Sequence, residues 1–219
     1  MWTREAIVER LHRGVDPYAD VVVDQCELLS ETPGWGNVAD FFERHVVQRD
    51  TKLIVEVGSW YGRSAIAMSA VLDRLGMPTP IICVDTWLGS PEMWLDRKAA
   101  DRWPMMHVQH GYPTFYREFL KYTKYFEAHR RVVPFPMDSM GAARVLDTLG
   151  IRPTHVFLDG NHYGEAFELD LKVWGRRPVV LFGDDYDGEG WEDIAPAVHG
   201  FAKRRGRNLF TQGRYWLIV

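Results

Sequence analysis

The chain has 219 residues, 46% of them hydrophobic, and a formal net charge of −4 at pH 7. That length and apolar content suffice for one sizeable core, so a single domain over 1–219 is expected. The acidic balance excludes a nucleic-acid footprint, because the basic run Lys203-Arg-Arg-Gly-Arg207 reads as the solvated end of a helix.

No window is long and apolar enough to span a bilayer, and the first residues lack the apolar run of a secretion signal. Cys26 and Cys83 form neither a metal spacing nor a disulfide framework. A cytoplasmic protein in a reducing compartment is therefore expected, without nucleic-acid or membrane partners.

Residues 1–50 read as N-terminal helices. The first runs from Thr3, as cap, to about Arg13, with Ile7, Val8 and Leu11 on one face; a second carries Val21 to Leu29. Asn37 can cap a third from Val38 to about Arg49, after a Pro-Gly-Trp-Gly turn at 33–36 that suits either a flap or a plain connection. Leu53-Ile-Val-Glu-Val-Gly-Ser-Trp-Tyr-Gly-Arg-Ser64 then gives a buried strand, a glycine turn and a helix stopped by Gly76 and Pro78. Such a unit offers unpaired N–H groups to a ligand. Ser59, Trp60 and Tyr61 crowd the turn against a dinucleotide, so a phosphate-free adenosine ligand fits better.

Ile81–Asp85 is a second buried strand, followed by an aromatic-rich insertion at 87–112 with no clear period. Its Trp87, Trp94 and Trp103, with Trp35, suit an apolar acceptor pocket or equally a homo-oligomer interface. A helical pattern from Pro113 to about Arg130 precedes the strand Arg131–Met137, whose two prolines assign it to an edge. A helix from Gly141 to Leu149, a strand at His155–Asp159, a helix from Glu165 to Trp174 and a strand at Val179–Asp185 follow. A last helix near 191–204 and the run Arg214–Val219 complete a doubly wound α/β sheet.

The strand ends are acidic. Asp85, Asp138, Asp159 and the pair Asp184-Asp185 fall at the rim where open α/β sheets bind ligands, and Glu56 interrupts the opening strand. Asp85 lies about 27 positions after Gly58, suited to accept both hydroxyls of a ribose. Asp138 and Ser139 can meet an adenine edge, although Ser139 also suits a helix N-cap. Asp159, Asp184 and Asp185 would converge and repel, which calls for proton uptake or an oxygen-liganded cation such as Mg²⁺. His162 stands beside them as a candidate general base.

Glu56-Val-Gly-Ser-Trp-Tyr-Gly-Arg-Ser64 resembles motif I, E-x-G-x-x-x-G, of the class I S-adenosylmethionine-dependent methyltransferases. Val156-Phe-Leu-Asp159 with Phe182-Gly-Asp-Asp185 is similar to the metal-binding pattern of the catechol O-methyltransferase branch. Asp-Gly-Asn-His-Tyr163 resembles macrocin O-methyltransferases, and cephalosporin hydroxylase-like sequences look similar too.

The resemblance implies a Rossmann-like sheet of order 3-2-1-4-5-7-6 and a hydroxylated small-molecule acceptor. It implies S-adenosylmethionine held by Glu56, Gly58, Ser59, Gly62, Ser64, Asp85, Thr86, Asp138 and Ser139. Asp159, Asp184 and Asp185 would hold Mg²⁺ or another divalent cation, with Asp159 and His162 catalytic. The chain departs from the catechol type in having His162 in place of a lysine, and Asp-Asp in place of Asp-Asn. The alternative is a relative that binds the cofactor without transferring methyl, as a binding subunit or a partner in an oxidative tailoring step.

Overall fold

The apolar run at Leu53 becomes an inner strand of a seven-stranded sheet in a computed structural model that describes residues 2–23, 32–95, 102–188 and 190–219. β1 (Ile54–Val57) is buried along its whole length because it is paired on both edges and covered on both faces. β2 (Ile81–Asp85) and β4 (His155–Leu158) flank it, and β3 (Val132–Pro136) and β5 (Val180–Gly183) extend the parallel array. β6 (Leu209–Gln212) and β7 (Tyr215–Ile218) form a hairpin, with β7 antiparallel between β5 and β6. The order is β3-β2-β1-β4-β5-β7-β6, as the resemblance implies, and the proline-bearing β3 is an edge.

α1 (Arg4–His12) begins at Thr3, whose Oγ1 accepts the Ala6 N–H at 3.2 Å. After α2 (Ala39–Phe41) come α3 (Arg63–Arg74), α4 (Pro91–Leu95), α5 (Arg102–Met105), α6 (Tyr116–Tyr125), α7 (Ser139–Thr148), α8 (Gly164–Trp174) and α9 (Ile194–Arg205). Alternation along the strands divides the core. Val55, Val57, Val156 and Leu158 face α1, α7, α8 and α9, whereas Ile54, Cys83, Phe157 and Phe182 face α3, α6 and the 39–46 segment. No helix among the described residues is long and apolar enough to cross a membrane.

Two elements differ from the sequence expectation. The helix expected from Val38 to Arg49 is a single α turn followed by a π turn over Phe42–Val46. That wider turn seats Phe42 against Phe182, with ring centroids 6.0 Å apart. β6 carries no strand pattern because Phe210, Thr211 and Gln212 are all exposed on the far edge. The expected helix Val21–Leu29 and Cys26 lie largely or wholly outside the described residues.

His155 opens β4 and is 1% exposed, with Nε2 3.3 Å from Thr51 Oγ1 and Nδ1 3.0 Å from Thr154 Oγ1. Burial lowers its pKa from 6.5 to about 4. Between those values the unfolded chain takes up a proton that the folded chain refuses, so this residue's contribution is full above pH 6.5 and is lost as the pH falls toward 4. The loss amounts to about 3 kcal/mol. Denaturant titrations of the wild type and His155→Gln should therefore converge as the pH drops through this window; a constant gap between them would refute the assignment.

Candidate active site

The C-terminal ends of the five parallel strands open into a cleft of about 610 Å³, the expected ligand crevice of an open α/β sheet. The glycine turn sets its floor. Gly58 has φ +85°, and a Cβ there would lie 2.3 Å from the Asp159 carbonyl oxygen and the Gly160 Cα. Only glycine lets the loops after β1 and β4 touch in this way.

Glu56 and Gly62 build this turn and do not line the cleft. The Glu56 carboxylate is fully buried: Oε2 accepts from Ser59 Oγ at 2.7 Å and Cys83 Sγ at 3.2 Å, and Oε1 from Ser64 Oγ at 2.5 Å. Burial raises its pKa against these bonds. Gly58, Ser59 and Ser64 do line the cleft.

Asp85 also lines it, but its carboxylate is already engaged. Oδ2 accepts the backbone N–H groups of Ser59 and Trp60, both at 2.9 Å, and Oδ1 that of Trp87 at 2.7 Å. The residue expected to take ribose hydroxyls thus also ties the end of β2 to the glycine turn. Burial raises its pKa while those N–H bonds oppose the shift. Thr86 Oγ1 accepts the Leu88 N–H at 3.2 Å.

At the end of β3, Asp138 rather than Ser139 caps α7, with Oδ1 accepting the Gly141 N–H at 2.8 Å. Ser139 Oγ donates to Asp170 and accepts from Trp174 Nε1 at 2.9 Å. Asp170, on α8, gave no sequence signal because it follows no strand. Burial pushes its pKa up to about 6, against the Ser139 hydrogen bond.

Across the cleft, Asp159, His162 and Asp185 bring one ligand atom each within 4.8 Å of one another. His162 Nε2 lies 2.8 Å from Asp185 Oδ2 and 3.7 Å from Asp159 Oδ1, and the ring stacks on Trp191 with centroids 4.3 Å apart. Asp184 lines the same cleft but is not one of these three. Its Oδ1 accepts from Arg214 Nε and from the Asp185 N–H at 2.7 Å, and Arg214 Nη2 reaches Asp185 Oδ1 at 2.8 Å. Arg214, just before β7, was invisible in sequence because no motif marks a hairpin arginine.

Burial raises the Asp159 pKa, with Asp184 and Asp185 adding to the shift against the His162 hydrogen bond. Burial likewise raises Asp184 although Arg214 opposes it. Burial alone would lower the His162 pKa; Asp159 and Asp185 outweigh it and hold it at about 9.

Of the tryptophans expected at the pocket, Trp35 lines the cleft. Trp87 is 2% exposed and packs on Tyr116 and Phe119, donating its Nε1–H to the Trp60 carbonyl at 2.9 Å. Trp94 and Trp103 pair edge to face outside the cleft.

The glycine turn, the strand order and the acid-lined rim together define an S-adenosylmethionine-dependent methyltransferase of class I. Residues 55–186 match the methyltransferase domain family model, and the chain belongs to that family. The calicheamicin enzyme CalS11, a TDP-rhamnose 3′-O-methyltransferase, superposes with a TM-score of 0.55 at 17% identity, over 82% of this chain and 76% of CalS11. The O-methyltransferase NovP gives 0.51 at 19% identity, over 76% and 71%. The precorrin-6y C5,15-methyltransferase of Geobacter metallireducens gives 0.52 at 16%, over 94% and 95%. At these identities the likeness is one of fold. No curated protein matches the sequence.

Proposed function

We propose that the chain is a divalent-metal-dependent O-methyltransferase acting on a hydroxyl of a small molecule, either a sugar or a phenolic natural product. The observation that carries this reading is the gathering of Asp159, His162 and Asp185 in the same cleft as the glycine turn. CalS11 and NovP, both O-methyltransferases, lend the acceptor class support.

The residues fit a hard divalent cation. Three carboxylates face two cationic groups: Arg214 pairs with Asp184 and Asp185, and His162 with Asp185 and, at 3.7 Å, Asp159; Asp159 and Asp184 nonetheless keep raised pKa values. That shortage of positive charge is what a cation at Asp159 and Asp185 relieves. Asp184 contributes through Arg214, holding the acid pair in place. A bound cation would supply Lewis acidity that lowers the pKa of an acceptor hydroxyl, and S-adenosylmethionine supplies an electrophilic methyl.

The protein's own part is positioning and one proton transfer. His162 takes the hydroxyl proton, its ring held flat by Trp191, once Nε2 is free of the Asp185 carboxylate that contacts it at 2.8 Å. Nε2 can accept only when positive charge near Asp159 and Asp185 offsets the carboxylates that otherwise keep the ring protonated. A role confined to cofactor binding would have no use for this acid and imidazole cluster.

The test is a homocysteine-release assay over hydroxylated sugars and catechols, with and without EDTA. Chelation should abolish turnover and Mg²⁺ or Mn²⁺ restore it, while S-adenosylhomocysteine still raises the melting temperature. Full turnover in EDTA would reject the metal-dependent reading.

A further inference from the structure

The sheet has two edges, and they are built differently. β3 carries Pro134 and Pro136, which have no N–H to offer, and His12 Nε2 of α1 lies 2.8 Å from the Pro134 carbonyl oxygen. That edge is blunted against the addition of another strand. β6, at the opposite edge, has none of these devices. Leu209-Phe-Thr-Gln212 contains no charge and no proline, and its register with β7 runs without a bulge.

The ladder with β7 fixes which backbone groups of β6 point outward. Asn208 and Val219 exchange both of their backbone bonds, at 3.2 and 3.1 Å. Hydrogen-bonded pairs alternate along an antiparallel ladder, so Phe210 and Gln212 also turn their N–H and C=O groups toward β7. Leu209 and Thr211 turn theirs away from it. Those outward groups have no partner among the described residues.

Such an edge is complementary to itself. Let a second copy of β6 lie antiparallel about a twofold axis at Phe210. Leu209 of each copy then opposes Thr211 of the other, and each of these pairs exchanges two N–H···O bonds. Phe210 opposes Phe210 in the intervening position, where side chains come closest, and Asn208 opposes Gln212. Every donor meets an acceptor, and none of the facing pairs carries a charge.

Phe210 is suited to the axis. Its side chain is 43% exposed, yet its ring packs inward on Phe41 and His45, with centroids 6.2 and 4.6 Å away. A ring already held in place loses little rotamer freedom when it meets its copy.

We infer that β6 pairs with β6 of a second copy, joining two seven-stranded sheets edge to edge in a homodimer. The inference is independent of the proposed reaction, because no residue of β6 lines the cleft. Four residues per strand make a small interface, so a dissociation constant of about 10–100 μM is expected.

Sedimentation velocity on the full chain, from about 1 to about 500 μM, tests this. The apparent mass should rise from 25.4 kDa toward twice that value. Phe210→Lys and Phe210→Glu each set like charges against one another at the axis, and each alone should raise the dissociation constant about tenfold or more. An equimolar mixture of the two should dimerise at least as well as the wild type, because lysine then faces glutamate. Thr211→Pro removes one outward N–H from each copy without touching the bonds to β7, and should also weaken the dimer. It stands in for the Phe210 variants should they disturb the packing on Phe41. A wild type that stays at 25.4 kDa throughout would overturn the inference, as would a dimer that Thr211→Pro leaves unchanged. Folded Phe210 variants that remain monomeric when mixed would overturn it as well, since the axis would then lie elsewhere.

Discussion

Asp185→Asn is expected to lower turnover by about a hundredfold or more while S-adenosylhomocysteine binds within about twofold of wild type. Asp185 is the acid that both His162 Nε2 and Arg214 Nη2 contact, each at 2.8 Å. An amide in its place turns one acceptor into a donor, so either the imidazole or the guanidinium meets N–H against N–H. It also removes one of the charges proposed to hold the cation. The backbone need not change: Asp185 has φ +60°, and asparagine tolerates that conformation nearly as well. Steady-state kinetics with calorimetry on the same preparation decides the matter. Comparable losses in turnover and cofactor affinity would mean that the acid cluster serves the cofactor and not the reaction.

Asp85→Ala should have the largest effect on stability. The carboxylate accepts three backbone N–H groups, from Ser59, Trp60 and Trp87, and no other acceptor takes its place among the described residues. Each buried donor left unpaired costs about 1–3 kcal/mol, and partial hydration of the loosened turn brings the sum to about 3–5 kcal/mol. For a domain of this size that corresponds to a fall in melting temperature of about 6–20 °C. The ligand-free protein is the sample that discriminates. A side chain that only gripped the ribose would leave its melting temperature unchanged and weaken cofactor binding alone. Asp85→Asn, which keeps one acceptor oxygen, should fall between the two.

Both variants bear on what the sequence could and could not reveal. The parallel strands were legible because burial on both faces writes continuous apolar runs such as Ile81-Ile-Cys-Val84. β6 was not, since its side chains face water. Acids at strand ends pointed to the rim, and the cleft does lie there; the partners of those acids were out of reach. Asp85 and Asp184 are saturated by groups about 26 and 30 residues away, Ser59 and Arg214, and no spacing rule connects them. Glu56 shows the same limit from the other side. Its motif was plain, yet its task is to hold Ser59 and Ser64 in the turn. Periodicity records which face of an element is buried, whereas a side chain's bonding depends on which distant loop folds against it.

The hairpin that carries Arg214 has one more consequence. As the polypeptide leaves the ribosome, the acid pair at 184–185 is finished before its guanidinium has been made, and the guanidinium arrives on the β6–β7 hairpin that pairs with β5 through β7. A nascent chain arrested short of that point would hold Asp184 without its guanidinium and leave Asp185 to His162 alone. Docking of β7 therefore joins the hairpin to the parallel strands and brings the guanidinium to the acids in one event.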